Sequence, residues 1–281
     1  MALAEGDDGR LHAAVAARLR AVGCVFAEEE AQLLLDQAGT RDALETLVQR
    51  RLGGEPLEVV LGWVDFCGLR IGIEPGVFVP RQGTRLLVEE AAALARPGDV
   101  LVDLCCGSGA VGLAVVERVA RLRLYAADVD PAAVRCAEHN LAGRGQVLAG
   151  DLFAALPAAL RGRIDLLTCN APYVPTAAIS LMPPEARLYE PPVALDGGSD
   201  GLDVHRRVAA AAVHWLVPGG HLLVELGERQ VPAALRMFAG CGLAARVVSS
   251  NEVDAHVVIA TRARTASPLA SGSSAPGSPR S

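Results

Sequence analysis

The sequence contains no lysine. Its 26 basic residues are therefore all arginine, and 32 aspartates and glutamates outnumber them, which leaves a net charge of −6. The chain lacks the overall positive field with which proteins hold nucleic acid irrespective of its sequence, although a local basic patch is compatible with this composition. Hydrophobic residues make up 51% of the chain, enough for a large core, and this excludes a wholly disordered protein.

Signals for export and for membrane insertion are also missing. The first ten residues are polar and acidic, and no basic segment followed by an apolar run marks a signal peptide. No stretch of about 20 uninterrupted apolar residues is present, so we expect no membrane span. Together these absences predict a cytoplasmic protein.

Cysteine pairing motifs are absent as well. The cysteines number seven, lie mostly within apolar runs and include no CxxC pair. This pattern predicts buried thiols in a reducing compartment, and neither a disulfide framework nor a metal site.

The composition divides the chain into three segments. Residues 1–55 show helical periodicity without strand signals, residues 56–262 alternate strand and helix patterns, and residues 263–281 are rich in Ser, Pro and Gly. We therefore predict a small N-terminal helical domain, one larger α/β domain and a disordered tail.

Three helices are predicted in the first segment. Its first apolar stripe recurs at spacings of three and four, in Leu11, Val15, Leu19 and Val22. Two more helices are predicted over residues 28–38 and 40–52, the latter capped by Thr40 and ended by Gly53-Gly54.

The middle segment predicts a sheet covered by helices on both faces. Strands are expected at 100–104, 122–127, 146–149, 164–169, 220–226, 244–249 and 255–261. Helices are expected at 110–120, 131–141, 204–216 and 229–240. This alternation indicates a mostly parallel sheet, whereas the last two strands, with no helix between them, are expected to pair antiparallel.

A glycine-rich loop follows the first of these strands. It reads Asp103-Leu-Cys-Cys-Gly107-Ser-Gly109-Ala-Val-Gly112 and opens a helix, a context in which glycines let a ligand approach the backbone. Asp128, at the end of the second strand, can accept hydrogen bonds from both ribose hydroxyls of a nucleoside cofactor, whereas Asp130 is assigned as a helix cap. Asp151 either stands near an adenine or caps a turn. A nicotinamide dinucleotide and S-adenosylmethionine are both open as cofactors at this point.

The sequence Asn170-Ala171-Pro172-Tyr173 follows the fourth strand and is expected to face the same crevice, since ligands of such sheets bind beyond the carboxyl ends of the strands. The Asn170 side chain offers an acceptor and two donor hydrogens, Pro172 holds the residue before it extended, and Tyr173 adds a flat apolar face. Together these residues can bind a planar amide or amine through hydrogen bonds. The alternative is an ordinary Asn-Pro turn.

This motif resembles the Asn-Pro-Pro-Tyr signature of methyltransferases that act on planar nitrogens. The chain as a whole, over about residues 28–260, is similar to the HemK/PrmC family of protein-(glutamine-N5) methyltransferases, which modify peptide chain release factors. Further stretches that match are Phe78-Val-Pro80-Arg81 with Thr84 and Leu87-Val-Glu89, Tyr189-Glu190-Pro191, Gly197-x-x-x-Gly201-Leu202, and Pro218-Gly-Gly220 to Glu225-x-Gly227 with Gln230.

The resemblance implies a Rossmann-like class I fold, S-adenosylmethionine as methyl donor, and a glutamine amide of a protein, by default a release factor, as acceptor. It implies that the acceptor is bound by Asn170, Ala171, Pro172 and Tyr173. It implies that the cofactor is bound by Asp103, Cys105, Cys106, Gly107, Ser108, Gly109, Asp128, Asp151, Leu152 and Asn170. We expect no metal and no nucleic-acid substrate. We also expect no general base, because His139, the nearest candidate in sequence, is assigned a structural role.

The chain departs from the family pattern at several positions. Ala171 replaces the first proline of the signature, which keeps the backbone carbonyl but reduces its rigidity. Cys105-Cys106 stand where the family has a Gly-Thr pair, Gln82-Gly83 replace a Pro-x pair, and Arg85 stands where the family usually has Glu. These differences bear on the acceptor more than on the chemistry.

Several other interpretations are compatible with parts of the sequence. An adenine-N6 or small-molecule methyltransferase would use the same planar-nitrogen chemistry, although the acidic composition argues against a nucleic-acid channel. A nicotinamide oxidoreductase would use the glycine loop but leaves Asn170 unexplained, and a silent cofactor-binding protein would explain Ala171. Arg81 and Glu190 either pair to hold the site closed or have ordinary surface roles.

Overall fold

The computed structural model describes residues 8–264, so the predicted tail from residue 265 onward lies outside the described residues. The helices are α1 (Asp8–Ala21), α2 (Ala27–Gln37), α3 (Arg41–Leu52), α4 (Leu57–Leu61), α5 (Arg85–Leu94), α6 (Ala110–Arg118), α7 (Pro131–Asn140), α8 (Pro184–Tyr189), α9 (Pro192–Leu195), α10 (Asp203–Trp215) and α11 (Val231–Gly240). The strands are β1 (Trp63–Phe66), β2 (Leu69–Gly72), β3 (Val100–Leu104), β4 (Arg123–Asp128), β5 (Gly145–Ala149), β6 (Ile164–Cys169), β7 (Leu216–Leu226), β8 (Leu243–Ser250) and β9 (Ala255–Arg262). No helix in this part of the chain combines the length and apolarity needed to cross a bilayer.

Seven strands form one sheet in the order β5-β4-β3-β6-β7-β9-β8. The first five run parallel, whereas β9 is antiparallel to both of its neighbours. The prediction of a mostly parallel sheet that ends in an antiparallel pair is therefore confirmed. The chain builds outward from β3 to β5 and returns on the other side of β3 as β6, and a crevice opens at the carboxyl ends of the strands where the order reverses in this way.

The central strands are buried on both faces. All five residues of β3 are buried, and their side chains alternate between two hydrophobic cores. Leu101 belongs to the core under α5, α6 and α7, whereas Val102 belongs to the core under α10 and α11. A strand covered on both faces reads as a continuous apolar run, and Asp103 is the one polar residue that interrupts it.

The first three helices pack around a core of their own. Fully buried side chains between them include Leu19, Leu34 and Val48. Thr40 caps α3 as predicted, because its Oγ1 accepts the Ala43 N–H at 3.2 Å. The inclusion of Val22 in the apolar stripe was wrong: α1 ends at Ala21, and Val22 is 59% exposed beyond it.

The hairpin of β1 and β2 was not predicted. Its two turn residues, Cys67 and Gly68, both have positive φ angles, 54° and 80°, which suit a tight two-residue turn. Asn and Asp are the residues that ordinarily mark such a turn before Gly, so a cysteine there gives no clear signal.

Asn140, at the end of α7, joins this hairpin to the glycine loop. Its Oδ1 accepts the Gly72 N–H at 2.9 Å, and its Nδ2 donates to the carbonyl oxygens of Gly72 and Ser108 at 2.9 and 2.8 Å. One amide side chain thus satisfies three backbone groups on two separate segments.

Asn140→Ala is expected to lower the free energy of unfolding by about 2 kcal/mol, since it leaves partly buried backbone groups unpaired. Urea unfolding followed by circular dichroism measures the loss. The control is Glu138→Ala, an exposed position on the same helix. A loss no larger than that of the control would contradict the linking role of Asn140.

Candidate active site

A cleft lies at the carboxyl ends of β3, β4 and β6, and its empty volume is about 1080 Å³, part of it continuous with solvent. The predicted site residues that line it are Asp103, Cys105, Cys106, Gly107, Ser108, Asp128, Asn170, Ala171, Pro172 and Tyr173. The glycine loop and the Asn-Ala-Pro-Tyr motif, which lie far apart in sequence, therefore face one space. Their roles in binding stay predictions.

Three predicted cofactor-binding residues do not line the cleft. Gly109, the residue immediately before α6, has a φ of 78°, and a Cβ there would lie 3.0 Å from the Leu141 side chain, so this glycine makes room for packing. The exposed Asp151 side chain pairs with Arg207 at 2.5 Å. Leu152 packs against the hydrophobic core.

The Asp103 side chain hydrogen-bonds the end of the glycine loop and the neighbouring strand β6. Its Oδ2 accepts the Gly112 N–H at 3.0 Å, and its Oδ1 lies 2.8 Å from Thr168 Oγ1 on β6. Burial raises the pKa of Asp103 to about 7. The geometry accommodates a proton on Asp103. Thr168 Oγ1 also lies 3.4 Å from the Val102 carbonyl oxygen, so the Thr168 hydroxyl can donate to that carbonyl and accept from a protonated Asp103.

Asp128 shapes the other side of the glycine loop. Its Oδ2 accepts the Gly107 N–H and its Oδ1 the Asp130 N–H, each at 2.9 Å. Burial raises the pKa of Asp128, while these two hydrogen bonds oppose the rise. Each carboxylate oxygen keeps a further acceptor position, so the predicted contact with ribose hydroxyls is compatible with the loop contacts.

The Asn170 side chain has a defined orientation. Its Nδ2 lies 3.4 Å from Thr84 Oγ1, and Thr84 is itself 1% exposed. Because the two ends of an amide point in opposite directions, this contact turns Oδ1 away from Thr84 and leaves it as an acceptor for an incoming N–H.

The backbone of the motif is held by a later segment of the chain. The Val174 N–H donates to the Leu195 carbonyl at 3.0 Å, and the Gln230 Nε2 donates to the Tyr173 carbonyl at 2.8 Å. A Cβ on Gly197 would lie 2.7 Å from the Pro172 carbonyl oxygen. The glycine therefore lets the two segments come together, and the motif loop is fixed from outside.

Charged groups surround the Tyr173 end of the motif. Arg81 Nη2 donates to Glu190 Oε1 at 2.5 Å, and the Arg81 guanidinium lies 4.9 Å from the centre of the Phe78 ring. The Arg81–Glu190 pairing that the sequence left open is therefore present, with Arg81 in the cleft wall and Glu190 buried behind it. Burial and the carboxylates of Glu225 and Glu190 raise the pKa of Tyr173 to about 12, so its hydroxyl stays neutral at physiological pH.

Sequence reasoning assigned no role to several lining residues. These are Val77, Phe78, Thr84, Val129, Ala133, Met182, Val193 and Ala194. Phe78 and Thr84 lie in a stretch that carried the family resemblance, so a signal was present. Met182 and Val193 come from residues 176–195, where short helices and turns give no periodicity to detect.

The chain is similar to known methyltransferases in sequence and in fold. Residues 68–183 match the family model described as Methyltransferase small domain. A release factor glutamine methyltransferase of Geobacter sulfurreducens is 39% identical over 203 residues, which cover 71% of this chain and 70% of that protein. A 4-amino-L-phenylalanine/4-methylamino-L-phenylalanine methyltransferase of Streptomyces pristinaespiralis is 34% identical over 231 residues, 79% of this chain and 78% of that protein. Among solved structures, a methyltransferase from Pyrococcus furiosus has a TM-score of 0.54 at 16% identity over 70% of this chain and 90% of its own, which supports the Rossmann-like fold.

The raised pKa of Asp103 predicts a pH dependence of stability. The folded state holds the proton up to about pH 7, whereas the unfolded chain releases it near the ordinary pKa of 3.8. The contribution of Asp103 to the free energy of unfolding is therefore expected to fall as the pH rises between these two values.

Asp103→Asn keeps an acceptor for Gly112 and a donor for Thr168 but has no proton to lose. Urea unfolding of both proteins at about pH 5 and about pH 8 measures how much free energy of unfolding each loses between the two pH values. This decrease should be smaller in Asp103→Asn than in the wild type. Identical pH dependence would exclude a raised pKa at this position.

Proposed function

This chain belongs to the family of the release factor glutamine methyltransferases, and we propose that it transfers a methyl group from S-adenosylmethionine to the side-chain amide nitrogen, N5, of a protein glutamine. The observation that supports this most is the Asn170 side chain, held by Thr84 with its Oδ1 acceptor free, in the same cleft as the glycine loop. The acceptor protein we propose is a peptide chain release factor, modified in the cytoplasm.

The cleft fits S-adenosylmethionine. Asp128 offers carboxylate oxygens to ribose hydroxyls, and the glycine loop exposes its backbone to the cleft. Ser108 lines the cleft, and within the described residues its Oγ is buried without a hydrogen-bond partner. A polar ligand would satisfy this group. The bound cofactor supplies a methyl carbon made electrophilic by the neighbouring sulfonium.

The protein compensates for a weak nucleophile. The lone pair of an amide nitrogen is delocalised into its carbonyl, so the nitrogen attacks poorly unless it is aimed. In our proposal Asn170 Oδ1 and the Ala171 carbonyl accept the two N–H groups of the glutamine amide. Such positioning can lower the barrier by roughly 7–11 kcal/mol in favourable cases. Both hydrogen bonds strengthen as positive charge develops on the nitrogen.

The released proton needs a destination. The N–CH₃ bond forms as the S–CH₃ bond breaks, and the nitrogen then gives a proton to water. His139, the histidine nearest in sequence, lies on the surface beside Glu74 at 3.0 Å and does not line the cleft. We therefore assign no side chain as a general base.

The surroundings of the cleft favour a protein acceptor. Leu181, Leu188 and Val193 are 83%, 68% and 51% exposed in the segment that forms one wall of the cleft. Exposed apolar side chains of this size suit contact with a protein surface, whereas a nucleic-acid channel requires positive charge. This supports a protein loop as the group that inserts its amide beside Asn170.

A small aromatic amine is the second candidate acceptor. The relative from Streptomyces pristinaespiralis is named for methylation of 4-amino-L-phenylalanine, and it matches 79% of this chain. An arylamine presents a planar NH₂, as a glutamine amide does, and the two oxygens that we assign to the amide could hold it equally.

An assay that offers both acceptors separates these functions. The purified chain is incubated with isotope-labelled S-adenosylmethionine and, in parallel, with release factors of the same organism, 4-amino-L-phenylalanine and RNA. Mass mapping locates the label. Label on a release-factor glutamine is the expected result, whereas label confined to the amine or to RNA would overturn the proposed acceptor.

Asn170→Ala is expected to reduce methyl transfer at least about 100-fold, because the acceptor nitrogen loses one of the two oxygens that aim it. Its dissociation constant for S-adenosylmethionine should change much less. Initial rates and calorimetric titration measure the two effects. Near-normal turnover in this variant would refute the assignment of Asn170.

Asp128→Ala should show the opposite pattern. It removes the carboxylate proposed to accept from the ribose, so the dissociation constant for S-adenosylmethionine is expected to rise by about 10- to 100-fold. Glu138→Ala, an exposed acid on α7 that does not line the cleft, serves as the matched control. An unchanged dissociation constant for Asp128→Ala would contradict a role of Asp128 in cofactor binding.

A further inference from the structure

Helix α8 lies beside the cleft but buries little of its own surface. Residues before and after this helix line the cleft, namely Met182, Pro191, Val193, Ala194 and Leu195. An isolated helix of six residues is not stable in water. Among these six residues, all of which the structure describes, Ala186 alone is buried. The position of α8 must therefore depend on contacts with other parts of the chain.

Two such contacts come from the end of α3, which belongs to the cluster of the first three helices. Arg51 Nη1 donates to Glu185 Oε1 near the start of α8 at 2.6 Å. Tyr189, the last residue of α8, donates its hydroxyl hydrogen to the Gly53 carbonyl oxygen at 2.9 Å. Both ends of α8 are thus bound to the same short stretch of chain.

Arg51 is held in place independently of α8. Its Nε and Nη2 donate to the two carboxylate oxygens of Glu30 on α2, at 2.6 and 3.2 Å, and its Nη1 also donates to the Glu55 carbonyl oxygen at 3.1 Å. The Arg51 and Glu30 side chains are each 12% exposed. A guanidinium fixed in this way loses little further freedom when it binds Glu185, so this ion pair should contribute more than an ordinary surface pair.

The residues that follow α8 connect its position to the cleft. Glu190, which is 5% exposed, accepts from Arg81 Nη2 in the cleft wall at 2.5 Å. Val174, the residue after the Asn-Ala-Pro-Tyr motif, donates its N–H to the Leu195 carbonyl oxygen at 3.0 Å. A displacement of α8 would therefore shift the cleft wall relative to the motif.

We propose that Arg51 and Tyr189 are positioning residues, which join the first three helices to α8 and thereby set the cleft wall against which the acceptor protein packs. Among the described residues that line the cleft neither of them is found, so both act through α8. The inference rests on the proposed function, because it requires an acceptor that inserts beside Asn170. Loss of these contacts should weaken binding of the acceptor, whereas the glycine loop and Asp128 should still bind the cofactor.

Hydrogen exchange tests the contact without any acceptor. Glu185→Ala removes the ion pair and Tyr189→Phe removes the hydroxyl, while Arg51 keeps its carboxylate partner on α2. In a peptide that spans residues 185–195, we expect amide exchange to be about 3-fold faster in each variant and about 10-fold faster in the double variant. The matched control is Glu29→Ala, an exposed glutamate on α2, which should leave this peptide unchanged.

Steady-state kinetics with a release factor as acceptor tests the effect on methyl transfer. The double variant should have a KM for the release factor about 10-fold higher, with kcat and the dissociation constant for S-adenosylmethionine changed less than about 2-fold. Glu185→Gln should keep a KM close to that of the wild type, because its amide oxygen still accepts from Arg51. A general loss of folded protein would instead lower the rate without raising KM. Equal KM values for Glu185→Ala and Glu185→Gln would overturn the role of the ion pair.

Failure of the inference and failure of the proposed function give different results. Unaltered hydrogen exchange in the double variant would overturn the positioning role even if a release-factor glutamine is methylated. A higher KM without faster exchange would also overturn it, since it would show that Glu185 or Tyr189 contacts the acceptor directly. Faster exchange in the variants, combined with no methylation of a release factor by the wild type, would refute the proposed function although α3 holds α8.

Discussion

The carboxyl group of Asp103 lies where β3, α6 and β6 meet. It accepts the Gly112 N–H in the first turn of α6 and contacts the Thr168 hydroxyl on β6. The first amides of a helix have no partner within it, so a side chain must satisfy them when they are buried. Asp103 is 1% exposed, which keeps water from replacing it. The shape of the glycine loop, and with it the side of the cleft that we assign to the cofactor, depends on this buried group.

The side of the cleft that we assign to the acceptor is held by different contacts. In the family signature the residue after the asparagine is a proline, whose ring stiffens the loop, and this chain has Ala171 at that position. The loop is nevertheless fixed, because Gln230 donates to the Tyr173 carbonyl and Val174 bonds to the segment opposite. Ala171 is 1% exposed and packed into the core. Tertiary contacts therefore supply the rigidity that the ring would otherwise give.

Prediction from the sequence succeeded where a local signal is strong. The apolar runs of the central strands, the cap of α3 at Thr40 and the Asp130 cap of α7 were all recovered, because spacing and short-range hydrogen bonds decide them. The β1-β2 hairpin was missed, since Cys67 at its turn gives no familiar signal. The short helices within residues 176–195 were not predicted either, because the shape of such short turns depends on what they pack against.

The sequence by itself determined the alternating α/β architecture, the two loops to which we assign the chemistry and the family to which the chain belongs. Periodicity and motif spacing are local properties that can be read directly from the sequence. Only the tertiary structure decided which side chains face the cleft and in what orientation. Asp151 pairs with Arg207 and Leu152 packs against the core, whereas Thr84 reaches Asn170 across 86 positions. Hydrogen-bond direction depends on which partners burial brings together, and no spacing along the chain records that.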